Sequence, residues 1–280
     1  MSGHISSVDH TMVPVHDLEA AALKMQKLGF TLTPKSVHKG LGTANRCIML
    51  NARDYVEIIA VDSDNAPKPA FANSLLNGEG AYAVALASEN AESAVAVLRK
   101  NGMTVNNPFT FSRTASTTAG NVEVSFTVIM IDPTELPQGP MFICQHHSRD
   151  QLFTDDVVHH LNGATGIHSI TGLVSDIDTA ADSYVKLFGE AAVIRTKDYL
   201  QVDTGKTPLI FMTERFFAAE YGANTVPRSA PCFCVLSFHV ENLADTYQFL
   251  KDAEIHFSEG KNGQLRIAPQ EGCGDIIEFI

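Results

Sequence analysis

Apolar and polar positions along the chain switch between a period of two and a period near 3.6. The stretch Val8-Asp9-His10-Thr11-Met12-Val13-Pro14-Val15 reads as a strand. From Leu18 onward, apolar residues return at helical spacing, at Ala21, Ala22, Met25 and Leu28. Asp17 is placed to cap this helix and Gly29 to end it. Strands are predicted next at 30–32, 47–50 and 55–59. The order is strand, helix, strand, strand, strand, and it recurs three times. A strand at 82–86 leads to a helix over 91–100, then strands at 123–130 and 141–145. A strand at 167–174 leads to a helix over 179–188, then strands at 192–195, 199–202 and 209–213. A strand at 233–240 leads to a helix over 244–251, then strands at 256–257, 264–268 and 275–279. The predicted helices start near 18, 91, 179 and 244, a supersecondary repeat longer than a solenoid period. The polar segment 146–163 divides the four units two and two and reads as a linker. Pro67-Lys68-Pro69 and the Ser/Thr-rich run 112–121 read as loops, and Phe216-Phe217-Ala218-Ala219-Glu220-Tyr221 as a cover for an apolar pocket or an interface.

Composition narrows the function. The chain has 280 residues, 45% of them hydrophobic, enough to bury a core without a disulfide or metal staple. Twenty Lys and Arg against 32 Asp and Glu give a formal charge of −12, which argues against nucleic acid and anionic membrane surfaces as partners. No apolar run is long enough to span a bilayer, and Met1-Ser-Gly-His lacks the features of a secretory signal. The five cysteines, Cys47, Cys144, Cys232, Cys234 and Cys273, form no CxxC and read as reduced thiols in a cytoplasmic protein. Nucleotide-loop, nucleophile-elbow and zincin motifs are absent.

Several residues carry candidate chemistry. Glu57 stands between Val56 and Ile58 in a strand, where burying a carboxylate unpaired is costly, so a role as metal ligand or base competes with an exposed edge position. His38 and the segment Gly42-Thr43-Ala44-Asn45-Arg46 offer donors for an anion or carbonyl, or an ordinary turn. Gln145 and His146 end an apolar strand and face either a cavity or solvent. Asp155, Asp156, His159 and His160 have helical ligand spacing but read as a solvated linker helix, and Cys232 and Cys234 read as core thiols.

Four βαβββ units in two pairs resemble the vicinal oxygen chelate superfamily, which includes glyoxalase I, extradiol dioxygenases and bleomycin-resistance proteins. The first half is similar to its glyoxalase-like family, common in bacteria. The matching residues are Asp9-His10, His38 with Gly42-Thr43-Ala44-Asn45-Arg46, Tyr55-Val56-Glu57-Ile58, Gln145-His146 and His160-Leu161-Asn162-Gly163-Ala164, spread over most of 8–165. The resemblance implies an α+β fold of four βαβββ modules paired into two curved mixed β-sheet half-barrels, with halves at 1–148 and 165–280. It implies metal-assisted lyase or isomerase chemistry, or a dioxygenase, on a small oxygen-rich substrate; the alternative is a metal-free binding protein of the bleomycin-resistance type. His10 and Glu57 are then metal ligands and catalytic groups, with His146 as third ligand. His38, Asn45, Arg46 and Gln145 contact substrate, and the cofactor is a divalent Fe, Mn, Zn or Ni ion. Met12, Met49 and Phe142 supply an apolar wall, and the principal cavity is expected here. Without a cation, buried Glu57 is expected to have a raised pKa. In the second half, His168, His239 and Glu278 imitate a dioxygenase triad, but Cys234 falls nearer the ligand position than His239, so a complete site is not expected there. A homodimer is allowed but not required.

Overall fold

The computed structural model describes residues 5–38, 40–62, 69–136, 138–223, 225 and 227–280. Its first half contains β1 (Ser7–Pro14), α1 (Leu18–Lys27), β2 (Ser36–His38), β3 (Thr43–Met49) and β4 (Tyr55–Val61), then β5 (Ala83–Ala87), α2 (Ala91–Lys100), β6 (Phe109–Thr117), β7 (Gly120–Met130) and β8 (Met141–His146). A short helix, α3 (Asp155–Val158), lies in the linker. The second half repeats the order with β9 (Ala164–Leu173), α4 (Ile177–Phe188), β10 (Val193–Arg195), β11 (Tyr199–Val202) and β12 (Leu209–Met212). It continues with α5 (Glu214–Tyr221), β13 (Cys232–Val240), α6 (Leu243–Asp252), β14 (Ser258–Glu259), β15 (Leu265–Ile267) and β16 (Ile276–Phe279). Among the described residues, no helix is long and apolar enough to cross a membrane.

The strands form two eight-stranded sheets of matching order, β2-β3-β4-β1-β5-β8-β7-β6 and β10-β11-β12-β9-β13-β16-β15-β14. In each, the first strands of the two paired units lie side by side and antiparallel, and each runs parallel to the last strand of its own unit. The fold is therefore the expected α+β arrangement of paired βαβββ modules. The first sheet curls until its edges meet, with the Ser116 N–H donating to Ser36 Oγ at 2.8 Å. The helices start where the sequence places capping residues: the Asp17 carboxylate accepts from the Glu19 and Ala20 N–H groups, and Asn90 accepts from the Ser93 N–H.

Three local expectations fail, the first being the strand at 256–257, which lies two residues later as β14 (Ser258–Glu259). Residues 30–32 form no strand; the second strand of the unit is β2, which brings His38 into the sheet. The run 112–121 is not a loop but a hairpin between β6 and β7, paired from Phe109↔Val128 to Thr117↔Gly120. Its Ser and Thr side chains lie largely toward solvent, so it lacks the apolar alternation of a half-buried strand. Of the loop expected at Pro67-Lys68-Pro69, the first two residues lie outside the described residues.

Strand periodicity separates the two faces of each sheet. Val8, Val13, Ala44, Ile48, Val56, Ile58, Val84 and Leu86 of the first sheet join Leu18, Ala21 and Met25 of α1 in one continuous core. That core also takes in Ile167, Ile170, Phe211, Phe238 and Phe279 of the second half. The other face of the first sheet forms a cup lined by Ala85, Val124, Phe126, Val128, Phe142 and Cys144, with Cys47, Met49 and Tyr55 beside them. Val157 and Val158 of α3 cover one end of this cup.

Candidate functional site

The first cup gathers polar groups on alternate residues of adjacent strands. His10 on β1 lies opposite Tyr55 on β4 and Ala85 on β5, and Glu57 lies one step along, between Met12 and Cys47. The small side chain of Ala85, between His10 and Phe142 in register, lets those rings approach edge to face at 5.5 Å. On the other side, Tyr55 stacks on His10 at 4.4 Å. His10 and Glu57 are 5% and 8% exposed, so their charge states are set by each other and by the cup.

His10 is oriented from behind. Its Nδ1 lies 2.7 Å from Asp9 Oδ1, and the other Asp9 oxygen accepts from the Arg149 guanidinium. An ionised Asp9 can only accept, so Nδ1 carries the proton and Nε2 presents its lone pair to the cup. Glu57 Oε2 stands 3.9 Å from that Nε2, beyond hydrogen-bond distance. Glu57 Oε1 is held by the Asn45 side-chain amide at 2.5 Å. Two electron-pair donors thus face one another in a buried space, an arrangement that a cation or a shared proton satisfies.

Electrostatics sharpen the picture. Burial lowers the His10 pKa to about 4, against the pull of Glu57, so the ring is neutral at pH 7. Burial also opposes charge on Glu57, but His10, His38, Arg113 and the Asn45 hydrogen bond together hold its carboxyl below the usual range. The expectation of a raised Glu57 pKa is therefore corrected. It omitted Arg113, the cation across the cup that remains when both histidines are neutral. Burial lowers His38 as well, and lowers His146 to about 3 with help from His10 and Arg113.

Three of these side chains carry buried polar atoms with no partner: His38 Nε2, Arg113 Nη1 and both ring nitrogens of His146. His38 Nδ1 meets Thr43 Oγ1 at 2.8 Å, which fixes the ring and leaves Nε2 free. His146 sits edge-on to Phe126 at 4.4 Å, and the Arg113 guanidinium lies over the same Phe126 ring at 5.5 Å. Buried orphan groups are rare in a folded chain, and their convergence marks a place that something polar fills. Arg113 is absent from the residues singled out by sequence; it lies in the hairpin read as a loop.

Two residues expected here point elsewhere. Arg46 leaves β3 on the opposite face, where it pairs with Glu19 of α1 at 2.9 Å and donates to the Thr33 carbonyl at 3.1 Å. Gln145 turns to the start of α2, accepting from the Ala91 N–H at 3.0 Å and donating to the Glu89 carbonyl at 2.9 Å. Met49 and Phe142 do line the cup. Two clefts open on the surface among the described residues, and neither is lined by His10 or Glu57. One, of about 480 Å³, lies between the halves beside Tyr82, Arg228 and Phe233; the other, of about 380 Å³, is lined by Arg53, Gln145, His146, Arg149 and Lys206. Aromatic rings and α3 crowd the cup itself. Among the described residues no three His, Cys, Asp or Glu side chains converge, so His10 and Glu57 are a two-donor set.

The second cup is filled by its own chain. Phe217 of α5 packs against Leu173, Met212, Cys234 and Ile276, with Tyr221 beside them, so this segment covers apolar surface as its sequence suggests. Glu278 is taken by Arg266 Nε and Ser237 Oγ, each at 2.8 Å. His168 Nδ1 and His239 Nε2 meet each other at 3.1 Å. His159 and His160 serve the linker: His160 spans from the Thr31 N–H to the Met49 carbonyl, each at 3.0 Å.

The sequence profile described as a glyoxalase-like domain matches residues 8–188. No curated protein matches the sequence. Among solved structures, a hypothetical protein from Staphylococcus aureus superposes with a TM-score of 0.68 at 13% identity, covering 98% of each chain. A mutant of 4-hydroxymandelate synthase from Streptomyces coelicolor gives 0.63 at 10% identity, over 99% of this chain and 92% of that one. The Mn(II)-bound glyoxalase from Novosphingobium aromaticivorans gives 0.58 at 10% identity, over 99% of this chain and 82% of that one. At such identities the structures share the fold alone, whereas the profile match spans most of the chain. The chain belongs to the glyoxalase-like family of the vicinal oxygen chelate superfamily.

Proposed function

We propose that the first half, residues 1–148, is a small-molecule enzyme site in which His10 and Glu57 hold a divalent metal ion, with 165–280 as a supporting half. The observation that carries this reading is the facing pair His10 Nε2 and Glu57 Oε2, two lone-pair donors 3.9 Å apart with Asp9 locking the tautomer. The donor set suits Fe, Mn, Zn or Ni; the third ligand expected at His146 is not part of it, since among the described residues no third such side chain converges with the pair. When bound, the ion would act as a Lewis acid toward adjacent oxygens of a substrate. The chain's own groups do the rest. Asn45 fixes one Glu57 oxygen, and Thr43 fixes His38 so that its neutral Nε2 faces the cup and can take or return a proton there. Proton movement beside a polarised carbonyl is isomerase or lyase chemistry.

The test is calorimetric titration of untagged protein with Mn²⁺ and Zn²⁺. Binding is expected in the wild type. Glu57→Gln is expected to lose it while melting within a few degrees of wild type, since Gln keeps the shape and the Asn45 contact. Silent wild-type titrations, or unchanged binding in the variant, sink the proposal. The two-donor count favours a second reading, sequestration of a small molecule without a metal; the same titration separates the two.

A further inference from the structure

We infer that the ligand of the first cup is an aryl carboxylate, whose anion is met by Arg113 and whose ring lies along the wall Phe111–Phe126. The inference rests on the first cup being the site, and it adds the class of molecule the cup accepts.

The anion follows from a buried guanidinium N–H that nothing meets. Arg113 on β6 lies opposite Val124 and turns into the cup, where it influences Glu57, His10 and His38 across the space. It makes no ion pair within 4.0 Å among the described residues, and its Nη1 is buried with no hydrogen-bond partner. The half-buried arginine behind His10, Arg149, is engaged with Asp9. Leaving a guanidinium N–H buried and unmet costs more than the bond itself returns, so the natural partner is an acceptor brought by the ligand. His38 Nε2 is a second free group on the same cup. A carboxylate, with two oxygens, matches a guanidinium better than a single hydroxyl or carbonyl does.

The ring follows from a row of aromatics that crosses three strands. Phe111 lies opposite Phe126, and Phe126 opposite His146. Phe109 and Phe111 stack at 6.0 Å, Phe111 and Phe126 at 5.5 Å. The outer two are 45% and 36% exposed and the inner one 4%, so the row runs from solvent into the cup. Beside this row, Ala83, Ala85 and Ala87 fill alternate positions of β5, and Ala85 lies next to Phe142 in register. Flat aromatic walls with a cation stacked on one of them suit a flat apolar body that ends in a negative charge.

The experiment compares phenylacetate, phenylacetamide and acetate by calorimetry on the whole protein, with and without Mn²⁺. Phenylacetate is expected to bind roughly ten- to a hundredfold more tightly than either other probe, the scale of one charge-assisted contact. Arg113→Gln is expected to remove that preference, and Arg113→Lys to keep part of it. Phenylacetamide binding as well as phenylacetate overturns the inference, as does acetate binding equally well. Mn²⁺ binding with no affinity for phenylacetate overturns it and leaves the metal reading standing. Selective phenylacetate binding without Mn²⁺ binding supports it and removes the metal reading alone.

Discussion

His160 shows how one side chain can couple pH to the closure of the cup. Its Nδ1 accepts from the Thr31 N–H and its Nε2 donates to the Met49 carbonyl, which only the neutral ring can do at once. Burial lowers its pKa to about 4 from 6.5. A histidine with a depressed folded pKa favours the fold above the unfolded value and withdraws that support as pH falls from 6.5 toward 4. His10 and His146 act in the same direction. The melting temperature is therefore expected to drop between about pH 7.5 and pH 5, and to drop less in His160→Gln; equal drops in thermal melts would refute the assignment. Strand parity also explains which site residues could be read in advance. His10, Glu57, His38 and Asn45 sit on the inward parity of their strands. Arg46 and Gln145 are the immediate neighbours of inward residues, Asn45 and His146, so they face outward by the same rule. Motif matching took in both neighbours because it ignores parity.

At the scale of elements, the units were legible wherever a strand or helix buried one apolar face. Strand β6 was not, because an edge strand with an exposed outer face carries Ser and Thr where a central strand carries Val or Ile. Arg113 was hidden with it. The helix α5 sets the second cup apart from the first. Phe217 is fully buried there and stacks on Tyr221 at 4.5 Å, and Arg266 lies over Tyr221 at 4.2 Å while binding Glu278. The second cup is packed as a core. Phe217→Ala is thus expected to cost about 3–5 kcal/mol in denaturant unfolding, the usual scale for emptying a core phenylalanine. Mn²⁺ affinity at the first cup should stay the same. A loss below about 1 kcal/mol would mean that α5 is only loosely seated.

Across the whole molecule, the polar linker made the two-by-two division readable, but nothing in the sequence showed how far the halves share one interior. An apolar residue on the outer face of a strand looks the same whichever element it meets. Phe30 of the first half packs on Phe238 and Phe279 of the second at 5.0 and 5.9 Å, and Gln138 reaches Tyr184 at 2.7 Å. The most demanding link is Arg228, 8% exposed by its side chain. It pairs with fully buried Asp275 at 2.8 Å and donates to the carbonyls of Glu79 and Ala81. Asp275 in turn accepts from the Ala81 N–H at 2.6 Å. Gly80 admits this guanidinium: a Cβ there would collide with Arg228 Nη1. Removing the carboxylate would leave a buried cation without its counter-ion, which costs about 3–5 kcal/mol. Asp275→Ala is expected to lower the melting temperature of the entire chain in a single calorimetric transition. The shared core requires the halves to unfold together, whereas two resolved transitions, with only the later half of the chain shifted, would show that each half folds on its own account.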